Sequence, residues 1–261
     1  MKKTGFWYLA RLTDEAYEDM GRKDMPISPL QKSIHVAEHR TKLWHYTNIE
    51  SLFKILATET FRFSRIDCVN DLMEKERISS YDLYKKVFVA CFSNNETESI
   101  PLWHMYTNKN NGVRIGIEFK HSKINNIMFR KSMSCDEKKY SCIICDVIYE
   151  DNDVHCPIME SENDETSIFV DELAAYKTKM WEYEDETRII LFFEDVSNNN
   201  QKYVNLPINY DEISKIRVMF NPWMSEEIKK SVVLTVNYYA KEHIKLFEFV
   251  DSDLQGEIDR K

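Results

Sequence analysis

Two uninterrupted apolar runs constrain this chain more than any other feature. Val87-Phe88-Val89-Ala90-Cys91-Phe92 and Ile189-Ile190-Leu191-Phe192-Phe193 show no alternation of polar and apolar residues. A strand without a polar face belongs inside a sheet, with neighbours on both sides. Whatever else the chain forms, these two segments demand a sheet with a buried centre.

The remaining periodicity builds outward from that centre. Residues 112–119, Gly-Val-Arg-Ile-Gly-Ile-Glu-Phe, alternate as a strand does. Further strands are expected over residues 43–47, 61–64, 142–149, 203–206, 213–219 and 245–249. Helices are expected over 49–57, 70–84, 100–106, 167–180 and 224–239, with Asn70 or Asp71 capping the second. Residues 150–166 form an acidic connector. The first 40 residues predict a helical preface: an apolar-faced segment from Phe6 to Leu12, then a second helix begun by Ser28-Pro29. These elements give one α+β domain over residues 41–261, preceded by a helical N-terminal extension over residues 1–40.

The chain has 261 residues, of which 43% are hydrophobic and 30% charged, enough to build a core. Its net charge of −9 makes it a poor general binder of nucleic acid or of an anionic membrane. A local basic face remains at Lys120, Lys123, Arg130, Lys131, Lys138 and Lys139. Met1-Lys2-Lys3 is followed by Asp14, Glu15, Glu18 and Asp19 rather than by the apolar core of a signal peptide. No apolar run reaches bilayer-spanning length. A cytoplasmic protein with no membrane partner is the expectation, and its six cysteines are then free thiols. Cys142-Ile-Ile-Cys145 has zinc-ligand spacing, but on a strand these positions face opposite sides, so no metal is expected there.

Four stretches carry more polar and aromatic chemistry than packing requires. In Trp44-His45-Tyr46-Thr47, His45 and Thr47 project to one face of a strand and can grip one small polar ligand. Asn70-Asp71-Leu72-Met73-Glu74 reads either as a helix start or as a polar loop beside a ligand. Phe92-Ser93 ends an apolar strand, and Trp103 and Tyr106 then share a helix face as a possible aromatic wall. Finally, Lys177-x-x-x-Trp181-x-x-Glu184-Asp185-Glu186-Thr187-Arg188 leads into the second apolar run. At a strand start Glu184 and Glu186 lie on one side, so their repulsion calls for a raised pKa or a cationic neighbour such as Arg188.

In this order the four stretches resemble a bacterial family known as domain of unknown function 2971, over about residues 42 to 250. Its layout is similar to that of ADP-ribosyltransferases, including the poly-ADP-ribose polymerases and the tRNA 2′-phosphotransferases. The resemblance implies an α+β split sheet, mixed or antiparallel, with NAD as co-substrate and no metal. It implies that His45 and Thr47 hold NAD, that Glu186 is the catalytic carboxylate, and that Glu184 orients or deprotonates the acceptor. Tyr46, Asn70, Ser93, Trp103, Tyr106 and Arg188 complete the implied NAD pocket. The residue that stacks on nicotinamide is Tyr106, Trp103 or Phe63. Tyr46 departs from the polymerase pattern, where glycine is usual, and its bulk narrows the pocket.

The function so implied is NAD-dependent ADP-ribosyl transfer to RNA, DNA or protein, by the toxin or effector of a toxin–antitoxin or anti-phage system with a possible antitoxin partner. Two rivals come from other classes. One is a non-catalytic nucleotide-sensing or partner-binding module. The other is a metal-dependent nuclease recruiting Asp71, Glu74, Glu184 and Glu186.

Overall fold

The computed structural model describes residues 4–7, 14–24, 26–71, 74, 83–121, 140–151, 158–160, 166–169, 174–193 and 200–256. A nine-stranded mixed sheet dominates it, and the architecture is α+β as expected. Its two central strands are the two apolar runs, β4 (Val87–Ser93) and β11 (Glu186–Phe193), paired antiparallel along their whole length. Beyond β11 lies β6 (Tyr140–Asp146). On the other side of β4 the sheet splits in two. β3 (Thr60–Arg65), followed by edge strand β12 (Tyr203–Pro207), pairs with β4 at Phe88 and Val89. β2 (Lys42–Asn48) touches the far end of β4 at one pair, Trp44 opposite Ser93. From β2 the sheet runs on through β5 (Gly112–Phe119) and β13 (Ile213–Phe220) to β14 (Phe247–Val250), the last pairing being parallel.

The apolar runs are central because both of their faces are covered. Phe88, Ala90, Phe92, Ile189, Leu191 and Phe193 enter one core with Leu52 and Leu56 of helix α3 (Ile49–Thr58) and Val232 and Val236 of helix α5 (Glu226–Tyr239). Val87, Val89, Ile190 and Phe192 enter a second core with Leu30 and Ile34 of helix α2 (Pro29–Glu38). The period-2 alternation of a strand thus divides each run between two cores. Cys142 and Cys145 divide the same way, Cys142 against the first core and Cys145 within the second. A third cluster packs Trp44 and Tyr46 on Leu102 and Trp103 of helix α4 (Ile100–Tyr106) and on Trp223.

Helix starts follow local chemistry. Ser28 caps α2 in a reciprocal box with Gln31, with Pro29 at the first position. The Asn48 side chain ends β2 and caps α3 by accepting the Ser51 N–H at 2.8 Å.

Four expected elements differ. Residues 167–180 are not a helix: strands β9 (Thr166–Phe169) and β10 (Tyr176–Thr178) lie there, and a 3₁₀ turn occupies Lys179–Glu184. β-Branched and aromatic residues suit strands, and both find partners, β9 with β1 (Thr4–Trp7) and β10 with β7 (Ile148–Glu150). The same pairing makes Thr4–Trp7 a strand where a helix was expected to begin. The expected strand 142–149 breaks at Val147 into β6 and β7. The acidic connector holds the short strand β8 (Ile158–Glu160), which pairs with β9. Most of the expected helix 70–84 and of the basic face at 120–139 lies outside the described residues. No described helix is long and apolar enough to cross a membrane.

Gly112 is required by close approach. A Cβ there would stand 2.2 Å from the Thr107 Cβ and 2.7 Å from the Thr47 carbonyl oxygen. Gly112→Ala is therefore expected to cost about 1–3 kcal/mol through overpacking. Gly21→Ala, where nothing lies within 4 Å, is expected to be neutral or to stabilise helix α1 (Asp14–Arg22) by up to about 1 kcal/mol. Urea melts of both variants test the contrast.

Candidate functional site

The split in the sheet creates the site. Between the points where β3 and β2 meet β4, the carbonyl of Cys91 receives a side chain in place of a strand: the His45 Nδ1 lies 2.9 Å from it. A carbonyl accepts only, so Nδ1 carries the hydrogen and Nε2 is left as an acceptor. Burial lowers the His45 pKa from 6.5, against the opposing pull of the Cys91 carbonyl, so the ring is neutral at pH 7. It rests edge-on against Phe61 at 4.9 Å.

Three cavities meet at this histidine. One of about 70 Å³ is lined by His45, Tyr46, Ser93, Tyr106, Glu184 and Glu186 among others. A second of about 280 Å³ is lined by His45, Thr47, Ser51, Lys54, Arg62 and Asn205 among others, and no carboxylate among the described residues lines it. A third of about 210 Å³ reaches from His45 to Asn70, Tyr106, Lys177, Glu186 and Arg188. His45 and Thr47 share a face, as their spacing predicts.

A buried ionic cluster forms the floor. Glu186, 4% exposed, faces the Arg188 guanidinium through Oε1 at 2.8 Å and through Oε2 at 3.1 Å, and Oε2 also meets the Lys177 ammonium at 3.1 Å. Lys177 bonds Glu184 as well, and the other Glu184 oxygen accepts the Tyr106 hydroxyl at 2.7 Å. Arg188 continues to Glu74 and to the carbonyl of Ala174. Burial alone would raise the Glu186 pKa, but Arg188 and Lys177 outweigh it and hold this carboxyl at about 2. Burial pushes Glu74 up against the pull of Arg188, and its Oε2 has no hydrogen-bond partner among the described residues. Burial and then Glu186 push the Cys91 thiol well up, so it stays protonated beside that carboxylate. Burial and Glu184 likewise raise the Tyr106 phenol.

The expectation that Glu184 and Glu186 lie side by side on one strand needs correction. Glu184 ends a 3₁₀ turn and Asp185 takes a left-handed conformation (φ 42°), so only Glu186 begins β11. The two carboxylates converge through Lys177 instead. The cationic neighbours anticipated for them are present: Arg188, and also Lys177.

Other expected site residues are dispersed. Asn70 donates to the Tyr106 hydroxyl at 3.3 Å, at the rim. The Ser93 Oγ accepts the Asn95 N–H at 3.3 Å. Tyr46 points to the face opposite His45, where its ring packs on Trp103 and its hydroxyl accepts the Ser99 N–H. It therefore borders the small cavity without blocking the larger ones. Trp103 and Phe63 are fully buried and line none of the three cavities. Of the three stacking candidates only Tyr106 faces a cavity. Tyr149, which accepts the Glu186 N–H at 2.9 Å, was not anticipated in the site. Lys177 opened the last of the four stretches and Cys91 preceded Phe92-Ser93 in the third, but neither was given a role there.

Residues 102–189 match a family model described as a protein of unknown function, DUF2971. This is the family to which the motifs pointed. The matched span runs from helix α4 into β11 and so holds Tyr106, Lys177, Glu184, Glu186 and Arg188, but not His45. No curated protein matches the chain. Two solved structures resemble it in fold, both of Thermus sp. 2.9 DarT, one in complex with NAD+ and one in complex with ADP-ribosylated ssDNA. Each is 9% identical with a TM-score of 0.32; the first covers 81% of this chain and 94% of its own, the second 82% and 94%.

Two outcomes follow for stability. Arg188→Met leaves the buried Glu74 without its cation and Glu186 with Lys177 alone, and is expected to cost about 3–5 kcal/mol in urea melts. The pH dependence has two windows. Below pH 6.5 the unfolded chain protonates His45 before the folded chain does, so stability falls with pH; below 4.5 the same holds for Glu186 down to about 2. His45→Gln is expected to remove the part of that decline that begins at pH 6.5, as a difference between the two stability-against-pH curves.

Proposed function

We propose that this chain is an NAD-dependent ADP-ribosyltransferase in which NAD is the co-substrate and no metal takes part. The observation that carries the reading is the meeting of a neutral histidine, a tyrosine and two glutamates around one cavity. A neighbouring cavity at the same histidine is lined by Lys54 and Arg62 and, among the described residues, by no carboxylate. NAD pairs a cationic nicotinamide, which suits a carboxylate, with a diphosphate, which suits basic side chains. In this reading His45 accepts a ribose hydroxyl through Nε2, Thr47 adds a second contact, and Tyr106 faces the nicotinamide.

The chemistry follows from that placement. The bond between nicotinamide nitrogen and ribose carbon breaks, and its electron pair leaves with the nicotinamide, which becomes neutral. Positive charge develops on the ribose, where a fixed carboxylate stabilises it electrostatically. The acceptor's nucleophile then forms the new bond to that carbon and surrenders a proton, which Glu184 takes in this reading. Arg188 orients Glu186 by holding both of its oxygens rather than by touching NAD, and Ser93 and Asn70 shape the rim.

The acceptor is a macromolecule, RNA, DNA or protein. The role we propose is that of a toxin or effector in a toxin–antitoxin or anti-phage system, with an antitoxin partner and a cytoplasmic setting. A nuclease reading fits less well, because Lys177 and Arg188 already neutralise the carboxylates that a divalent metal would need. Residues 41–261 carry the activity in this reading, and residues 1–40 are an appended segment.

Glu186→Gln keeps the shape and removes the charge. Incubated with NAD, it is expected to release nicotinamide at least about a hundredfold more slowly than the unaltered protein, by analogy with other electrostatic transition-state groups. Chromatographic assay of nicotinamide checks this, and unchanged turnover in the variant rejects the assignment.

A further inference from the structure

The two glutamates that approach the cavity come from different local structures, a 3₁₀ turn and a strand start. Sequence position alone does not align them. One side chain contacts both: the Lys177 Nζ meets Glu184 Oε2 and, at 3.1 Å, Glu186 Oε2. Lys177 is 4% exposed, and its ammonium lies 4.5 Å from the centre of the Trp181 ring.

How Lys177 is held is equally specific. It sits on β10, whose partner β7 places Tyr149 opposite it in register. Tyr149 accepts the Glu186 N–H. The two-stranded β7–β10 ribbon therefore offers one tooth to the Glu186 backbone and a second to both carboxylates. Lys177 lines the cavity of about 210 Å³ without lining the one in which His45 faces the two glutamates. Its place is behind the carboxylates.

We propose that Lys177 is the positioning residue of this site, with the β7–β10 ribbon as the clamp that sets the spacing of Glu184 and Glu186. The proposal rests on the ADP-ribosyltransferase reading for its kinetic consequence but not for its electrostatic one. Two carboxylates brought this close repel, and the ordinary result is that one keeps a proton. A shared ammonium removes that conflict. The other groups facing the cluster do not supply the link: among the described carboxylates Arg188 meets Glu186 and Glu74 and Tyr106 meets Glu184, and Tyr149 and Cys91 are neutral.

The test uses the full-length chain with Lys177→Met and Lys177→Arg. Glutamate labelled with ¹³C at the side-chain carboxyl lets NMR follow titration without reference to activity. In the unaltered protein the Glu186 signal, identified by its loss in Glu186→Gln, stays ionised throughout the ordinary carboxylate range. In Lys177→Met it titrates about one pH unit or more higher. The acid limb of nicotinamide release against pH moves up by the same amount. Lys177→Arg retains charge and fold but replaces a point donor with a planar fork. It keeps Glu186 ionised yet lowers kcat about tenfold, with KM for NAD within about twofold. Unmoved carboxylate titration in Lys177→Met overturns the proposal. So does wild-type kcat in Lys177→Arg, which stays informative if Lys177→Met does not fold. Failure of the unaltered protein to release nicotinamide at any pH overturns the NAD reading instead, and the NMR titrations then judge the clamp on their own.

Discussion

The charge of Arg188 sits almost wholly out of water, and the site is arranged around that fact. A guanidinium 1% exposed persists only if its donors are met, and here they are met by Glu186, Glu74 and the Ala174 carbonyl. These partners come from three separate parts of the chain. Satisfying one cation therefore ties the start of β11 to the polar segment after β3 and to the segment leading into β10. The position of Glu186 follows from this charge balance more than from packing.

Such a cluster costs stability compared with an apolar core of the same volume. The sheet can carry it because β4 and β11 bury apolar side chains on both faces. The two cores hold the strands in place, and the charges lie where the strands end. Central strands ending in polar clusters are a common setting for binding sites, since the rigid part fixes the reactive part.

How much of this could be read in advance depended on whether local pattern or distant pairing decided the outcome. β4, β11 and β5 were legible, because an apolar run or a clean alternation states a strand's burial directly. The shared face of His45 and Thr47 was legible for the same reason. Residues 167–180 were not, because their strands exist through pairing with Thr4–Trp7 and Ile148–Glu150, far away in sequence. That error hid what Lys177 does: it stood in a candidate stretch, but read as part of a helix it gave no hint of facing Tyr149 across a ribbon. Glu184 was placed on a strand because one left-handed residue, Asp185, leaves no signature in a row of acidic residues. Trp103 shows the opposite hazard, since an aromatic at the right spacing proved to be core.

His45 deserves to be seen as a stitch as well as a ligand group. It stands where a strand would otherwise continue the sheet, and its Nδ1 joins the β2 half to the β4 half at a carbonyl of the central strand. The same ring therefore has one nitrogen bound to the fold and the other turned to the cavity. Whatever draws on the outer nitrogen pulls, through a rigid five-membered ring, on the backbone of β4 next to Phe92 and Ser93.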